Sequence, residues 1–327
     1  MGNKTRIVVI LGMHRCGTSL LANFLDAIGI DFGKNFLPHD EFNAEGYWEN
    51  KDVLAAHEKI LRVLKSEWKD PRISFEPDWL RKPEIQDLKH LLIETVRSET
   101  NKTKSIWGFK DPRTSVLLPI WREIFAELEI EPIYILAVRS PGAVAASLGR
   151  RDGLTDSHSQ LLWLKYNLNA FACPTEHLRA VTDYDRWFEA GHEQARMVVE
   201  SLKVPWPVSE EKMEEALNLT IRPQLRHHGP REHATCSPFT EKLYVCLSEA
   251  AANGTVPESS REIVAAVEEV ADVLRLWGDI FSESDGQLKK NRKLLKNQRK
   301  TLRISIGITL GLLLCMICFL VFLKFLI

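Results

Sequence analysis

The sequence predicts an α/β domain, a parallel sheet flanked by helices, followed by a C-terminal transmembrane helix. Three observations carry that expectation. Short β-branched runs alternate with stretches of helical periodicity, which is how a parallel sheet with covered faces is built. Each run ends in a polar motif, and ligands of open α/β sheets sit beyond the strand C-termini. The stretch 304–327 is almost wholly apolar, and some 20 such residues cross a hydrocarbon core of roughly 30 Å.

The first strand is Arg6–Leu11 (RIVVIL), bounded by Gly12, and apolar residues at helical spacing follow over Leu20–Ile28. This reads as strand, glycine loop, helix. A second strand fits Ser105–Phe109 and ends at Lys110-Asp111-Pro112-Arg113. A third, Pro132–Val138, ends at Arg139-Ser140-Pro141 and leads into a helix from Gly142 to Arg150. Helical patterns continue at Ser159–Ala172 and Tyr184–Leu202, with a short strand at Arg179–Thr182 between them. Lys203–Pro238, with several prolines and paired histidines, reads as loop-rich, and Pro257–Gly278 as a helix. Three parts result: the α/β domain over 1–256, a helical basic juxtamembrane segment over 257–303, and the spanning helix over 304–327.

The net charge of −1 conceals an asymmetry. From Lys289 onward there are nine Lys/Arg and no Asp or Glu, so the chain before it carries a balance of −10. An acidic body argues against general nucleic-acid binding. The basic run before the apolar stretch places the preceding domain in the cytoplasm by the positive-inside rule. The expected location is therefore a single-pass membrane protein with a cytoplasmic catalytic domain. The N-terminal apolar run is too short for a signal peptide. Gly2 does not meet the acylation pattern, because Arg6 stands where Ser or Thr is required. Six scattered cysteines offer no disulfide framework.

Gly12–Ser19 reads GMHRCGTS. It has the spacing of the nucleotide loop G-x-x-x-x-G-K-[ST], with Thr18 in place of the lysine. Backbone N–H groups from Cys16, Gly17, Thr18 and Ser19 at a helix N-terminus suit a phosphate. Without the lysine, ATP or GTP hydrolysis is disfavoured, although a P-loop kinase or NTPase stays open as an alternative, as does a non-catalytic membrane-anchored nucleotide-binding protein. His14 and Arg15 supply candidate polar groups inside the loop. In the second motif, VRSPGAVAAS, Ser147 lies eight residues after Arg139, about two helical turns on. A guanidinium fork with a hydroxyl suits a second phosphate.

A strand and lysine-free phosphate loop, followed by Arg-x7-Ser after a later strand, resembles the two donor-binding motifs of sulfotransferases. The GMHRCGTS loop, the GYWE segment at Gly46–Glu49 and the KDPR strand end are most similar to the bacterial sulfotransferase-like family, over about Arg6–Pro230. The resemblance implies a P-loop-NTPase-like sulfotransferase fold and 3′-phosphoadenosine 5′-phosphosulfate (PAPS) as donor, with no metal. It implies that Arg15 falls where many members have a lysine bridging to the transferring group, that Cys16, Gly17, Thr18 and Ser19 cradle the 5′-phosphosulfate, and that Arg139 and Ser147 hold the 3′-phosphate. Arginine is practically never deprotonated, so Arg15 is expected to stabilise charge rather than donate a proton.

An acceptor hydroxyl needs a base. Glu49, beside Tyr47 and Trp48, is the first candidate, because desolvation by the aromatics would raise its pKa. His14 and His57 are alternatives. Lys110, Asp111 and Arg113 either orient sulfate or an acidic acceptor, or form an ion-paired turn stiffened by Pro112. Trp121, Trp163 and Tyr166 are read as core or sugar-stacking residues, and Tyr184 as a candidate adenine contact. Arg222–Cys236 is read either as a plain solvated loop or as a basic loop closing over the nucleotide, with Arg222 and Arg226 at a phosphate; the spacing of His227, His228, His233 and Cys236 fits no familiar zinc pattern. The acceptor is expected to be a glycan or lipid-linked hydroxyl or amine, because of the anchor.

Overall fold

Residues 4–36, 48–72, 75–171, 177–221, 236–254, 287, 290–291 and 293–298 are described by a computed structural model. The chain divides into two compact units, Met1–Arg275 and Leu276–Ile327. In the second, the described residues are helical.

The first unit holds a four-stranded, all-parallel sheet: β1 (Arg6–Gly12), β2 (Trp107–Lys110), β3 (Glu131–Val138) and β4 (Leu178–Asp183), in the order β2-β1-β3-β4. The strand expected at Ser105–Phe109 lies two residues later at its start and one at its end. Ile7, Val8, Val9, Ile10 and Leu11 are all fully buried, because helices cover both faces of a parallel sheet.

Alternate strand residues divide the interior into two cores. Val8, Ile10, Ile133, Ile135 and Ala180 pack on α1 (Thr18–Ala27), α8 (Gly191–Leu202) and α9 (Glu210–Thr220). Ile7, Val9, Leu11, Leu136 and Val181 face the second core. It is filled from α2 (Lys51–Val63), α3 (Pro83–Lys102), α4 (Leu118–Glu127), α5 (Pro141–Asp152), α6 (Asp156–Phe171) and α10 (Pro238–Asn253). Trp121, Trp163 and Tyr166 are core residues there.

Two expectations need correction. Tyr184–Leu202 is not one helix: after Tyr184 leaves β4, a single turn, α7 (Arg186–Glu189), is separated from α8 by Ala190 with an extended φ of −143°. The segment Lys203–Pro238 is less loop-rich than its prolines imply, since α9 lies within it. The Ser209 side chain caps that helix by accepting from the Lys212 amide at 3.2 Å. Met213, Ala216, Leu217 and Thr220 then return to one buried face. Residues 222–235, the helix expected at Pro257–Gly278 and the apolar stretch 304–327 lie outside the described residues. Among those that are described, no helix is long and apolar enough to cross a membrane.

The strand order fixes where a ligand can enter. From β1 the chain passes to β2 on one side, then crosses to β3 on the other. The loops leaving β1 and β3 therefore part, opening a crevice at their C-terminal ends. Gly12 and Ala137 are register partners at that point.

Candidate active site

The glycine loop leaves β1 under tight steric control. A Cβ on Gly12, at φ +137°, would sit 2.5 Å from the Ala137 carbonyl oxygen on the neighbouring strand. Ser115 secures the same residue by accepting from the Gly12 amide at 2.9 Å. Arg15 holds a left-handed φ of +71°, a conformation that costs on the order of 1 kcal/mol or more and clusters at functional sites. The Cys16 amide donates to the Met13 carbonyl at 3.2 Å, closing the turn. Burial pushes the Cys16 thiol up to about 12, which keeps it unreactive.

Helix α1 starts at Gly17, which adopts φ +85° and supplies no side-chain cap. Its first-turn amides, beginning at Thr18 and Ser19, form the positive end of the helix. Thr18 itself is buried, and its methyl group packs under Gly12. Where a nucleotide loop has a reaching lysine, this chain has a core contact.

Tyr184, at the end of β4, closes the other side of the loop. A Cβ on Gly17 would meet Tyr184 Cδ2 at 2.6 Å. The Arg139 guanidinium stacks on the same ring, 4.0 Å from its centroid. Arg139 Nη1 reaches the Arg15 carbonyl at 3.5 Å, and Arg15 Nε donates to Ser147 Oγ at 2.8 Å. Loop, arginine and serine thus meet in one cluster at the β1–β3 crevice. Tyr184 is its floor, a role the sequence does not signal because the contact is between β4 and the loop. Asp183 anchors it: Gln194 accepts from the Asp183 amide and donates to its carbonyl, and the Tyr244 hydroxyl donates to Asp183 Oδ2.

The second polar group lies at the tip of β2. Glu49 is buried, not on the surface. Its Oε1 accepts from Lys110 Nζ at 3.1 Å, and its Oε2 lies 3.8 Å from Arg113 Nη1. Burial raises the Glu49 carboxyl; Lys110 and Arg113 oppose the rise and Asp111 adds to it. The Trp48 ring packs against Phe32 and Phe36, 5.8 and 5.2 Å between centroids. Asp111 Oδ1 accepts from the Arg113 amide and Nη1, and Oδ2 faces His57 Nδ1 at 3.0 Å. Burial alone would raise Asp111, but Arg113 and then His57 overcome it and hold the carboxyl far below the usual range. The K-D-P-R segment is an ion-paired turn.

His57 cannot serve as a free base, since Trp121 Nε1 donates to its Nε2 at 2.9 Å. His14 differs. Its ring lies 4.6 Å from Trp68 and 5.7 Å from Tyr166 between centroids, and its buried Nε2 makes no hydrogen bond among the described residues. Burial, then Arg113 and Arg151, hold His14 well below its ordinary value of 6.5. His14 thus adjoins both the loop and the β2 tip. The Trp68 strand of chain is itself fastened: Tyr166, His158 and Lys165 bind the carbonyls of Trp68, Lys69 and Asp70. Arg226 and Tyr47 lie outside the described residues.

No protein-family profile matches the chain, and no curated protein matches it. Among solved structures, it is similar to the sulfotransferase domain from the Synechococcus PCC 7002 olefin synthase. The match covers 84% of this chain and 95% of that one, at 18% identity and a TM-score of 0.39. Likeness at that level says nothing by itself about activity. The geometry must carry the reading.

Proposed function

We propose that the chain is a sulfotransferase that moves a sulfuryl group from PAPS to a hydroxyl or amine of a glycan or lipid-linked acceptor. The observation that carries this is the convergence of the lysine-free loop with Arg139 and Ser147 on one side of one crevice. A single nucleotide with phosphates at both ends of its ribose can reach both. The first-turn amides of α1 would meet the 5′-phosphosulfate, and Arg139 and Ser147 the 3′-phosphate. Arg226 is assigned to the same nucleotide.

In the transfer, the acceptor oxygen bonds to sulfur as the bond from sulfur to the 5′-phosphate oxygen breaks. The products are the sulfated acceptor and 3′,5′-bisphosphoadenosine. Arg15 stabilises charge on the departing oxygen, and the acceptor proton passes to Glu49, which Lys110 holds in place. His14 is kept neutral beside the reacting groups. No metal is needed for this displacement.

Calorimetric titration tests the reading. The bisphosphate is expected to bind at least about tenfold more tightly than ATP, a gap of about 1.4 kcal/mol; a preference for ATP would overturn it. For the acceptor, labelled donor incubated with membrane lipid and glycan extracts should label a component of one. The stretch 304–327 is proposed to hold the enzyme on a membrane with its catalytic domain in the cytoplasm, and its deletion should release the protein into the soluble fraction.

A further inference from the structure

If Glu49 receives the acceptor proton, something must fix its carboxylate and tune its affinity for that proton. Arg113 is one of the two cations facing it among the described residues, and Arg113 is shared. Its Nη1 lies 3.0 Å from Asp111 Oδ1 and 3.8 Å from Glu49 Oε2, and its Nη2 lies 3.5 Å from Glu58 Oε1 on α2. How much of the guanidinium Glu49 keeps depends on what else satisfies Asp111. The other Asp111 oxygen is held by His57 Nδ1 at 3.0 Å, with both side chains fully buried.

Trp121 and the ionised Asp111 require the same state of that histidine. An indole N–H only donates, so His57 Nε2, its acceptor at 2.9 Å, carries the lone pair. The ring proton therefore sits on Nδ1, pointing at Asp111. Trp121, His57, Asp111, Arg113 and Glu49 form a continuous buried chain of polar contacts from α4 to the β2 tip. A leucine could fill the space of His57, but it could not supply the Nδ1 proton.

We propose that His57, held as the Nδ1–H tautomer between Trp121 and Asp111, is a positioning residue that occupies one oxygen of Asp111 so that Arg113 stays shared with Glu49. The proposal rests on the assignment of Glu49 as proton acceptor. Without the histidine donor, the idle Asp111 oxygen would turn to the guanidinium. The longest of the three Arg113 contacts, the one to Glu49, is then given up. Glu49 keeps Lys110 but loses a cation, and its protonated form gains. Removing the Asp111 charge has the opposite effect, because Arg113 is released to Glu49 and a repelling carboxylate disappears. Among the described residues, the charged groups facing Glu49 are Lys110, Asp111 and Arg113, with Glu58 beyond Arg113.

Carbon-13 NMR of the full chain, labelled at glutamate carboxyls, tests this; the Glu49 resonance is the one absent from Glu49→Gln. His57→Leu is expected to raise the Glu49 midpoint by about one unit, and Asp111→Asn to lower it by about as much. His57→Asn, whose side-chain amide can replace the Nδ1 donor, should restore the wild-type midpoint. Trp121→Phe leaves the ionised Asp111 as acceptor for Nδ1–H, so His57 should keep its tautomer in nitrogen-15 shifts and Glu49 its wild-type midpoint. His57→Phe, which keeps a ring in the same space but has no donor, should move Glu49 as His57→Leu does and keeps the test decisive if the leucine variant fails to fold. If His57→Leu or His57→Phe lowers thermal stability while Glu49 titrates as in wild type, His57 is only a packing residue and the proposal falls. No donor or acceptor is present in these titrations, so they are separable from the nucleotide measurement on which the sulfuryl-transfer reading stands.

Discussion

At the β1–β3 crevice, position is set by backbone and close packing. Gly12 and Gly17 leave no room for a Cβ, Arg15 is held at positive φ, and Tyr184 fills the gap between loop and arginine. At the tip of β2, position is set by charge pairing instead. Lys110, Arg113, Glu49 and Asp111 are all buried and meet one another within 4 Å. The difference matters because the two kinds of site fail differently. A sterically built site tolerates loss of a charge but not an added atom. A charge-built site tolerates loss of a whole pair better than loss of half of one.

The largest expected effect is at the ion-paired tip. Lys110→Met leaves the Glu49 carboxylate buried without its nearer cation, at a cost of about 3–5 kcal/mol in urea unfolding. Adding Glu49→Gln should recover most of that, and a double variant no more stable than the single would break the comparison. At the crevice, Arg139→Ala should leave folding nearly unchanged yet weaken bisphosphate binding about 100-fold by calorimetry, the loss of roughly 3 kcal/mol of charge-assisted contact. Gly17→Ala should cost about 2 kcal/mol, and Tyr184→Ala should relieve part of it, giving a coupling of about 1 kcal/mol in a double-mutant cycle.

His14 sharpens the contrast through pH. Its folded value is depressed, so the unfolded chain binds the extra proton below 6.5. The stability it contributes is complete above 6.5 and falls away as pH drops toward the folded value. The slope is at most about 1.4 kcal/mol per pH unit, and His14→Gln should flatten it in unfolding measured from pH 7 to 5. The smallest change is Ser115→Ala, which strips the Gly12 amide of its acceptor for about 1 kcal/mol, read as a small drop in midpoint temperature.

The pattern of RIVVIL, PIYILAV and RAVT already marks three strands, because β-branched runs buried on both faces need no distant partner to be recognised. The loop and the Arg139–Ser147 spacing are legible for the same reason. The second strand is displaced at Ser105–Phe109 because four residues, Trp107–Lys110, are too few to fix their own limits. Ser209 as a helix cap was readable from its side chain, but the prolines before it outweigh the signal. Tyr184 as the floor under Gly17 had no signal at all.

What the sequence determined by itself is whatever lies within a few residues along the chain: strand, turn, helix and the motif at each tip. Only the tertiary structure decided that Glu49 pairs with Lys110, 61 residues away, and that His57 meets both Asp111 and Trp121. It also decided that Arg15 binds Ser147, 132 residues on. Those pairings follow from the order β2-β1-β3-β4, which sets one loop beside another. That order is a free-energy minimum of the whole packed domain, and no local window of residues contains it.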